Sequence, residues 1–334
     1  MWKRFDSDSA TLMSSGVVVR AGRGLYTVQT DTGRVLPCGL RGNLKKNLTY
    51  PESANVHQRV EKAKKRRETN PLAIGDRVEI EVDESGMTGV IETIEPRTSA
   101  LTRRSGNERE RQTIVANLDL AIVTFALRDP QVDPWKLDRF LVLAEDAEVT
   151  VLIVLNKTEL APPEEFQSAA SEYRRIGYEV MGTSAKTGDG IEALRERLKG
   201  KIAAFCGPSG VGKSSLLNAL QPGLKLKTAE VGDVTHLGRH TTVAAELIPL
   251  NFGGWLADTP GLRQVEFWDL PLEDVAFCFP EIEPLIGKCK FNDCRHRSEP
   301  GCAILAAKER GDISERRYLS YIQMTELPTT GSSH

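Results

Sequence analysis

One eight-residue stretch, Gly207-Pro208-Ser209-Gly210-Val211-Gly212-Lys213-Ser214, restricts what this chain can become more than any other feature. It fits the pattern G-x-x-x-x-G-K-[ST], in which glycines let backbone N–H groups turn inward around an anion without Cβ clashes. The apolar run Ile202–Cys206 before it reads as a buried strand, and Ser214–Leu220 after it as a helix. Strand, glycine loop and helix N-terminus together make a phosphate cradle, because the helix dipole and its open N–H groups both favour negative charge. Lys213 is expected to reach the β- and γ-phosphates of a nucleotide and to act in catalysis. The Ser214 hydroxyl is expected to ligate Mg²⁺, with Ser215 beside it in the binding loop.

A strand–helix alternation surrounds this loop. Leu118–Leu127, Val149–Leu155 and Tyr178–Met181 read as strands, and Pro134–Glu145, Glu164–Ile176 and Ile191–Leu198 as helices. Two further strands, Val243–Leu250 and Gly254–Ala257, follow the loop. Such alternation implies a mostly parallel sheet with helices on both faces. Gly254–Ala257 runs into Asp258-Thr259-Pro260-Gly261. An acid at the end of a strand near the phosphate loop is placed to hold Mg²⁺, and Gly261 to offer its N–H to a γ-phosphate as a switch hinge. Between these motifs, the polar segment ending Gly238-Arg239-His240-Thr241-Thr242 reads as a first switch, in which Thr241 or Thr242 supplies a Mg²⁺ ligand.

Asn156-Lys157-Thr158-Glu159 and Ser184-Ala185-Lys186 each follow a strand. They match the N-K-x-D and S-A-K elements that recognise guanine. A carboxylate there accepts from the base N1–H and exocyclic amine, which adenine cannot reproduce. Asn156 meets the N7 edge, Lys157 packs over the ring, and Ala185 offers a backbone N–H to the guanine carbonyl. The carboxylate is Glu159, a methylene longer than the usual Asp, with the same acceptors. In the usual order these elements come after the phosphate loop; here they precede it. A sheet is indifferent to where its chain is cut if the old termini lie close enough to join, so a circularly permuted GTPase is expected.

Before this region, Gly16–Arg20, Leu25–Thr30, Arg34–Pro37, Arg77–Val82 and Thr88–Ile94 are short β-rich segments with turn punctuation, fitting a five-stranded OB-like barrel. A polar insertion, 45–71, interrupts them and carries the basic run Lys62–Arg67. Residues 1–111 hold 20 Lys+Arg against 15 Asp+Glu, a balance of +5 on a chain of net charge −2. That asymmetry points to a polyanion-binding module. Near the other end, Cys289, Cys294, His296 and Cys302 fall within 14 residues. Three thiols and an imidazole this close make a closed structural zinc site rather than a disulfide framework. Cys38, Cys206 and Cys278 read as small core residues. No stretch approaches 18 apolar residues, and MWKRFDSDSA has no apolar export segment, so a cytoplasmic protein without membrane contact is expected.

The permuted motif order, GPSGVGKSS, GRHTT, DTPG and the Cys/Cys/His/Cys cluster together resemble the ribosome small subunit-dependent GTPase A (RsgA) family over nearly the whole chain. The resemblance implies an OB-fold domain (1–111), a permuted GTPase domain (112–270) and a zinc-binding helical domain with a disordered tail (271–334). It also implies a factor that binds the small ribosomal subunit and its RNA late in maturation, and GTP hydrolysis stimulated by that particle; a monomer is expected. Leu262 follows the D-x-x-G element where many GTPases carry a water-orienting glutamine. An apolar side chain cannot orient water, so His240 is the candidate to supply that function, as the resemblance also implies. Two competing readings are an RNA-binding nucleotide switch with negligible hydrolysis and a P-loop ATPase or kinase.

Overall fold

The computed structural model describes residues 12–22, 24–42, 44, 72–104, 111–223, 245–258 and 274–326. The insertion 45–71, the switch residues His240, Thr241, Thr242 and Gly261, and the tail lie outside these. Contacts divide the chain into two compact units, Met1–Asn117 with Thr242–Ile248, and Leu118–Thr241 with Pro249–His334.

In the first unit the five expected strands form as β1 (Leu12–Ala21), β2 (Tyr26–Thr30), β3 (Val35–Leu40), β4 (Arg77–Val82) and β5 (Gly89–Ile94). They pair in the order β1-β2-β3-β5-β4, and β4 closes back on β1. One strand can belong to both edges because β1 is long and bent. Its first half pairs with β4 and its second with β2, and the Gly16 Cα lies so near Gln29 that a Cβ would sit 2.5 Å from the Gln29 carbonyl oxygen. Period-two alternation turns Val18, Val28, Leu36, Val78, Ile80 and Ile91 inward. Each such side chain contributes about 1.5–3 kcal/mol by leaving water. Tyr26, the aromatic residue among the described residues of this unit, is itself in that core at 2% exposure. Burial raises its hydroxyl pKa.

A hairpin that the pattern of residues did not reveal, β6 (Ala100–Arg104) with β7 (Arg111–Ala116), completes the unit. Buried Asp76 holds this region to the barrel by accepting from the Arg97 guanidinium at 2.7 and 2.8 Å and from Ala73 N at 2.7 Å. Strand β12 (Glu246–Pro249), expected after the phosphate loop, forms, and its Glu246 pairs antiparallel with Arg20 on β1.

The second unit is built on β8 (Leu120–Ala126), β9 (Val151–Asn156), β10 (Glu179–Gly182), β11 (Ile202–Cys206) and β13 (Trp255–Asp258), all parallel, in the order β10-β9-β8-β11-β13. Strands β8, β9 and β11 are buried along their whole length, as a sheet covered on both sides requires. From β8 the chain steps outward through α1 (Pro134–Asp146) to β9, then through α2 (Pro163–Ile176) to β10. It returns through α3 (Ile191–Leu198) to β11 on the other side of β8. Right-handed crossovers place α1 and α2 on one face and α3 on the other. α4 (Lys213–Leu220) follows β11 and packs against α3. Proline at the first helical position starts both α1 and α2. Asp133 caps α1 by accepting from Trp135 N and Lys136 N at 3.1 and 3.2 Å.

The segment from 274 onward packs on α1. Two helices, α5 (Ala303–Arg310) and α6 (Glu315–Glu326), enclose a core of Phe279, Ile282, Ile304, Tyr318 and Tyr321, to which Val142 of α1 contributes. Among the described residues no helix is long and apolar enough to cross a membrane.

Candidate functional site

The strand order reverses between β8 and β11, and in open parallel sheets that reversal opens a crevice at the carboxyl ends of the strands. Four of the motifs picked out in the sequence arrive there. Asn156 ends β9, Ser184 follows β10, Gly207 follows β11 and Asp258 ends β13.

The phosphate loop joins β11 to α4 with Gly207, Gly210 and Gly212 all at positive φ. At two of these positions space as well as backbone demands glycine. A Cβ on Gly207 would sit 2.1 Å from the Thr124 carbonyl oxygen on β8, and one on Gly212 would sit 2.4 Å from the Asn156 amide nitrogen. The Lys213 ammonium arches back over the loop and donates to the carbonyls of Gly207 and Pro208 at 2.7 and 2.6 Å. Val211 is buried and anchors the loop, while Ser209, Gly210, Ser214 and Ser215 face solvent, open to an incoming phosphate. Cys206, directly beneath, is a neutral thiol; burial pushes its pKa up to about 12 against a small opposing effect of Lys213.

Asn156 is 1% exposed and ties three motifs together. Its amide nitrogen donates to the Val211 carbonyl at 2.9 Å. Its carbonyl accepts from the Thr183 hydroxyl at 3.2 Å and the Ala185 N–H at 3.4 Å. Thr183 was not singled out from sequence, yet it is wholly buried and its own carbonyl accepts from the Thr158 N–H and hydroxyl. The available signal was position alone, immediately before Ser184 at the end of β10. Ser184 is buried and shapes its loop by accepting from Thr187 N, while Lys186 is exposed. Lys157 takes a left-handed backbone, φ 62°, and its ammonium donates to the Asp129 carbonyl. Glu159 lies exposed in a 3₁₀ turn, Thr158–Leu160.

The segment 127–133, between β8 and α1, is a second feature that sequence reading missed. Pro130 Cδ lies 3.8 Å from where a Cβ on Gly210 would sit, so this segment flanks the phosphate loop as well as Lys157.

Away from this crevice, Cys289, Cys294, His296 and Cys302 bring their ligand atoms within 4.8 Å of one another, a set able to hold a metal ion. His296 turns its Nδ1 inward, 3.4 Å from both the Cys289 and Cys302 sulfurs, which are 3.8 Å apart. Burial of the imidazole lowers its pKa. The surrounding chain is shaped for the cluster. Glu299 accepts from the N–H groups of Arg295, Arg297 and Ser298 at 2.8–3.0 Å, bonds that hold its carboxyl down to about 2. Tyr318 donates to the His296 carbonyl at 2.8 Å. The N–H groups of Ala303 and Leu305 point at the Cys289 and Cys302 sulfurs at 3.4 and 3.5 Å, orienting both side chains.

Comparison with known proteins gives a consistent picture. The RsgA GTPase family model matches residues 94–268. A Gemmatimonas aurantiaca protein named small ribosomal subunit biogenesis GTPase RsgA is 44% identical over 318 residues, covering 95% of this chain and 98% of that one. The Moorella thermoacetica protein of the same name is 42% identical, covering 92% and 94%. Among solved structures, YjeQ from Thermotoga maritima superposes with a TM-score of 0.72 at 35% identity, covering 94% of this chain and 98% of that one. YloQ, described as a circularly permuted GTPase, superposes with a TM-score of 0.70 at 30% identity, covering 97% and 96%.

Proposed function

Because this chain belongs to the RsgA GTPase family, we propose that it hydrolyses GTP to GDP and phosphate on the small ribosomal subunit during late maturation. The relatives' names carry the ribosomal part. The observation that carries the chemistry is the Asn156 side chain, whose two ends join the phosphate loop to both base-recognition motifs. Elements far apart in the chain thereby become one nucleotide pocket.

In this reading Gly207 to Ser215 hold the α-, β- and γ-phosphates, with Lys213 turning from its two carbonyl partners toward the β/γ-bridge. Asn156, Lys157, Glu159 and the Ser184-Ala185-Lys186 turn take the guanine. Glu159 accepts from its N1–H and amine, and the Ala185 N–H turns from Asn156 to the base carbonyl. The donors fit Mg²⁺ with GTP: Ser214, at the start of α4, and Asp258, at the end of β13, offer hard oxygen ligands, and Thr241 or Thr242 is proposed as a further one. When bound, the ion neutralises charge developing on the phosphates. Leu262 cannot orient the attacking water, so His240 is proposed to do so when the ribosome orders the switch.

The Cys3His cluster is proposed to hold one structural zinc. A tetrahedral zinc sets ligand edges of about 3.8 Å between sulfurs and about 3.6 Å from sulfur to nitrogen. The observed 3.8 and 3.4 Å fit those edges. Residues 1–111, with the basic insertion 45–71, are proposed as the RNA-binding domain, 112–270 as the GTPase domain and 271–334 as the metal domain of a cytoplasmic monomer. With Tyr26 buried, the described barrel surface has no aromatic ring for base stacking, which favours backbone and shape recognition of RNA.

The test is competition against a fluescent guanine nucleotide by GTP and ATP. Displacement by GTP at concentrations where ATP has no effect supports the pocket; equal displacement refutes guanine recognition.

A further inference from the structure

Helix α1 touches both the nucleotide pocket and the metal-bearing segment. At its N-terminal end, the lead-in 127–133 is pinned to the pocket at two points and flanks it at a third. Leu127 N donates to the Asn156 main-chain carbonyl at 2.8 Å, the Asp129 carbonyl accepts from Lys157, and Pro130 Cδ lies 3.8 Å from where a Cβ on Gly210 would sit. One and a half turns along, Asp138 is completely buried and both its carboxylate oxygens are engaged. Oδ2 accepts from Arg316 Nη1 at 2.6 Å. Oδ1 accepts from the Tyr173 hydroxyl at 3.1 Å and forms an ion pair with Arg317 Nη1 at 2.8 Å.

Both arginines belong to α6. Arg317, 1% exposed, also grips Glu281 through Nε and Nη2 at 2.6 and 3.1 Å and lies over the Phe279 ring at 4.4 Å. Arg316 reaches Glu172 on α2 at 2.6 Å. Burial opposes the Arg317 charge, but the bonds from Glu281 and the nearby Asp138 carboxylate outweigh it and raise its pKa. One turn beyond Asp138, Val142 enters the same apolar cluster as the metal-ligating Cys302.

A buried carboxylate held by two guanidinium groups is costly to leave half-paired, so α1 and α6 are bound to move together. The segment carrying α6 has a small core, and a metal held by four of its side chains contributes directly to its folding. We propose that Asp138, clamped by Arg316 and Arg317, is a positioning residue that couples the Cys3His segment to the guanine-nucleotide pocket. Loss of metal loosens α6, α1 loses its clamp, and the lead-in 127–133 no longer holds Lys157 and the phosphate loop in register. Coupling of this kind is reciprocal: bound nucleotide tightens metal binding by the factor by which metal tightens nucleotide binding. The inference rests on the guanine-nucleotide reading of the pocket.

The test measures GDP affinity of the full chain, metal-loaded and chelator-stripped, and in parallel zinc affinity by chelator competition with and without GDP. Metal removal is expected to weaken GDP binding between about fivefold and about 100-fold, with the same factor for zinc in the reciprocal measurement. In Asp138→Asn, which keeps the shape and loses the charge, both factors fall toward one while the loaded protein still holds one metal. Arg316→Lys retains a charged partner and most of the coupling. Should Asp138→Asn fail to fold, Arg316→Gln, at a partly exposed position, is expected to shrink both factors. Equal GDP affinity of loaded and stripped wild type, or wild-type coupling in Asp138→Asn or Arg316→Gln, would overturn the proposal. Absence of GDP binding by loaded wild type overturns the guanine-nucleotide reading itself, and this inference with it.

Discussion

Replacing Asn156 by alanine removes a side chain that closes three contacts at once, and the structure gives the cost. The Val211 carbonyl loses its donor at 2.9 Å, the Thr183 hydroxyl its acceptor at 3.2 Å and the Ala185 N–H its acceptor at 3.4 Å. Val211 and Thr183 are buried at 1% and 0% exposure, so water cannot take over there without rearrangement. A buried polar group left unpaired costs about 1–3 kcal/mol. Ala185 is half-buried and its bond is long, so it adds least. Two well-buried losses therefore sum to about 2–6 kcal/mol. With a urea slope of about 2–3 kcal/mol per M, the unfolding midpoint drops by about 1–2 M. The assay is urea unfolding followed by far-ultraviolet circular dichroism, with guanine-nucleotide affinity measured on the same samples. A midpoint within about 0.3 M of wild type, with affinity unchanged, would refute the claim that Asn156 joins the motifs.

Other outcomes follow from single contacts. Gly207→Ala places a Cβ 2.1 Å from a backbone oxygen of β8, so nucleotide binding should be abolished and melting temperature lowered; a variant that binds normally contradicts the loop geometry. Cys302→Ser should cut bound zinc from one equivalent to near zero by metal analysis, because it removes one of the four proposed ligands, while the serine hydroxyl can still cap α5. Asp83, between β4 and β5, accepts from Thr88, Ser85 and Met87, and the Thr88 hydroxyl above all holds its carboxyl down to about 2. Its folded pKa lies below the unfolded value of about 3.9, so its stabilisation is present above that pH and is lost as pH falls toward 2. Protection of the Met87 and Thr88 amides, their exchange rate relative to the intrinsic rate at the same pH, should hold above about pH 4 and decline as pH falls toward 2 in wild type, and be low throughout in Asp83→Ala.

Much of this architecture was legible in the residues because burial leaves a period. The barrel strands alternate, as in the Arg77–Val82 run, and the parallel strands are continuous apolar runs such as Val151–Leu155. The proposed phosphate loop, base motifs and Cys3His cluster stood out in the residues because the chemistry proposed for them demands particular side chains at fixed spacing. The β6–β7 hairpin was hidden because its sequence, Ala100 to Ala116, is rich in arginine and glutamate and lacks sustained alternation. Thr183 and the segment 127–133 carry no motif; only the folded sheet brings them beside Asn156 and Lys157. Arg316 and Arg317 look like ordinary solvated charges on a terminal helix, and nothing local in the chain announces that Asp138, 178 residues before Arg316, draws them inward.

The most direct test of the central claim is GTP turnover by the purified protein, alone and with small ribosomal subunits. ATP and large subunits serve as controls. The account predicts slow hydrolysis that small subunits accelerate strongly, for GTP only. Turnover that no subunit changes, or that proceeds equally with ATP, would contradict it.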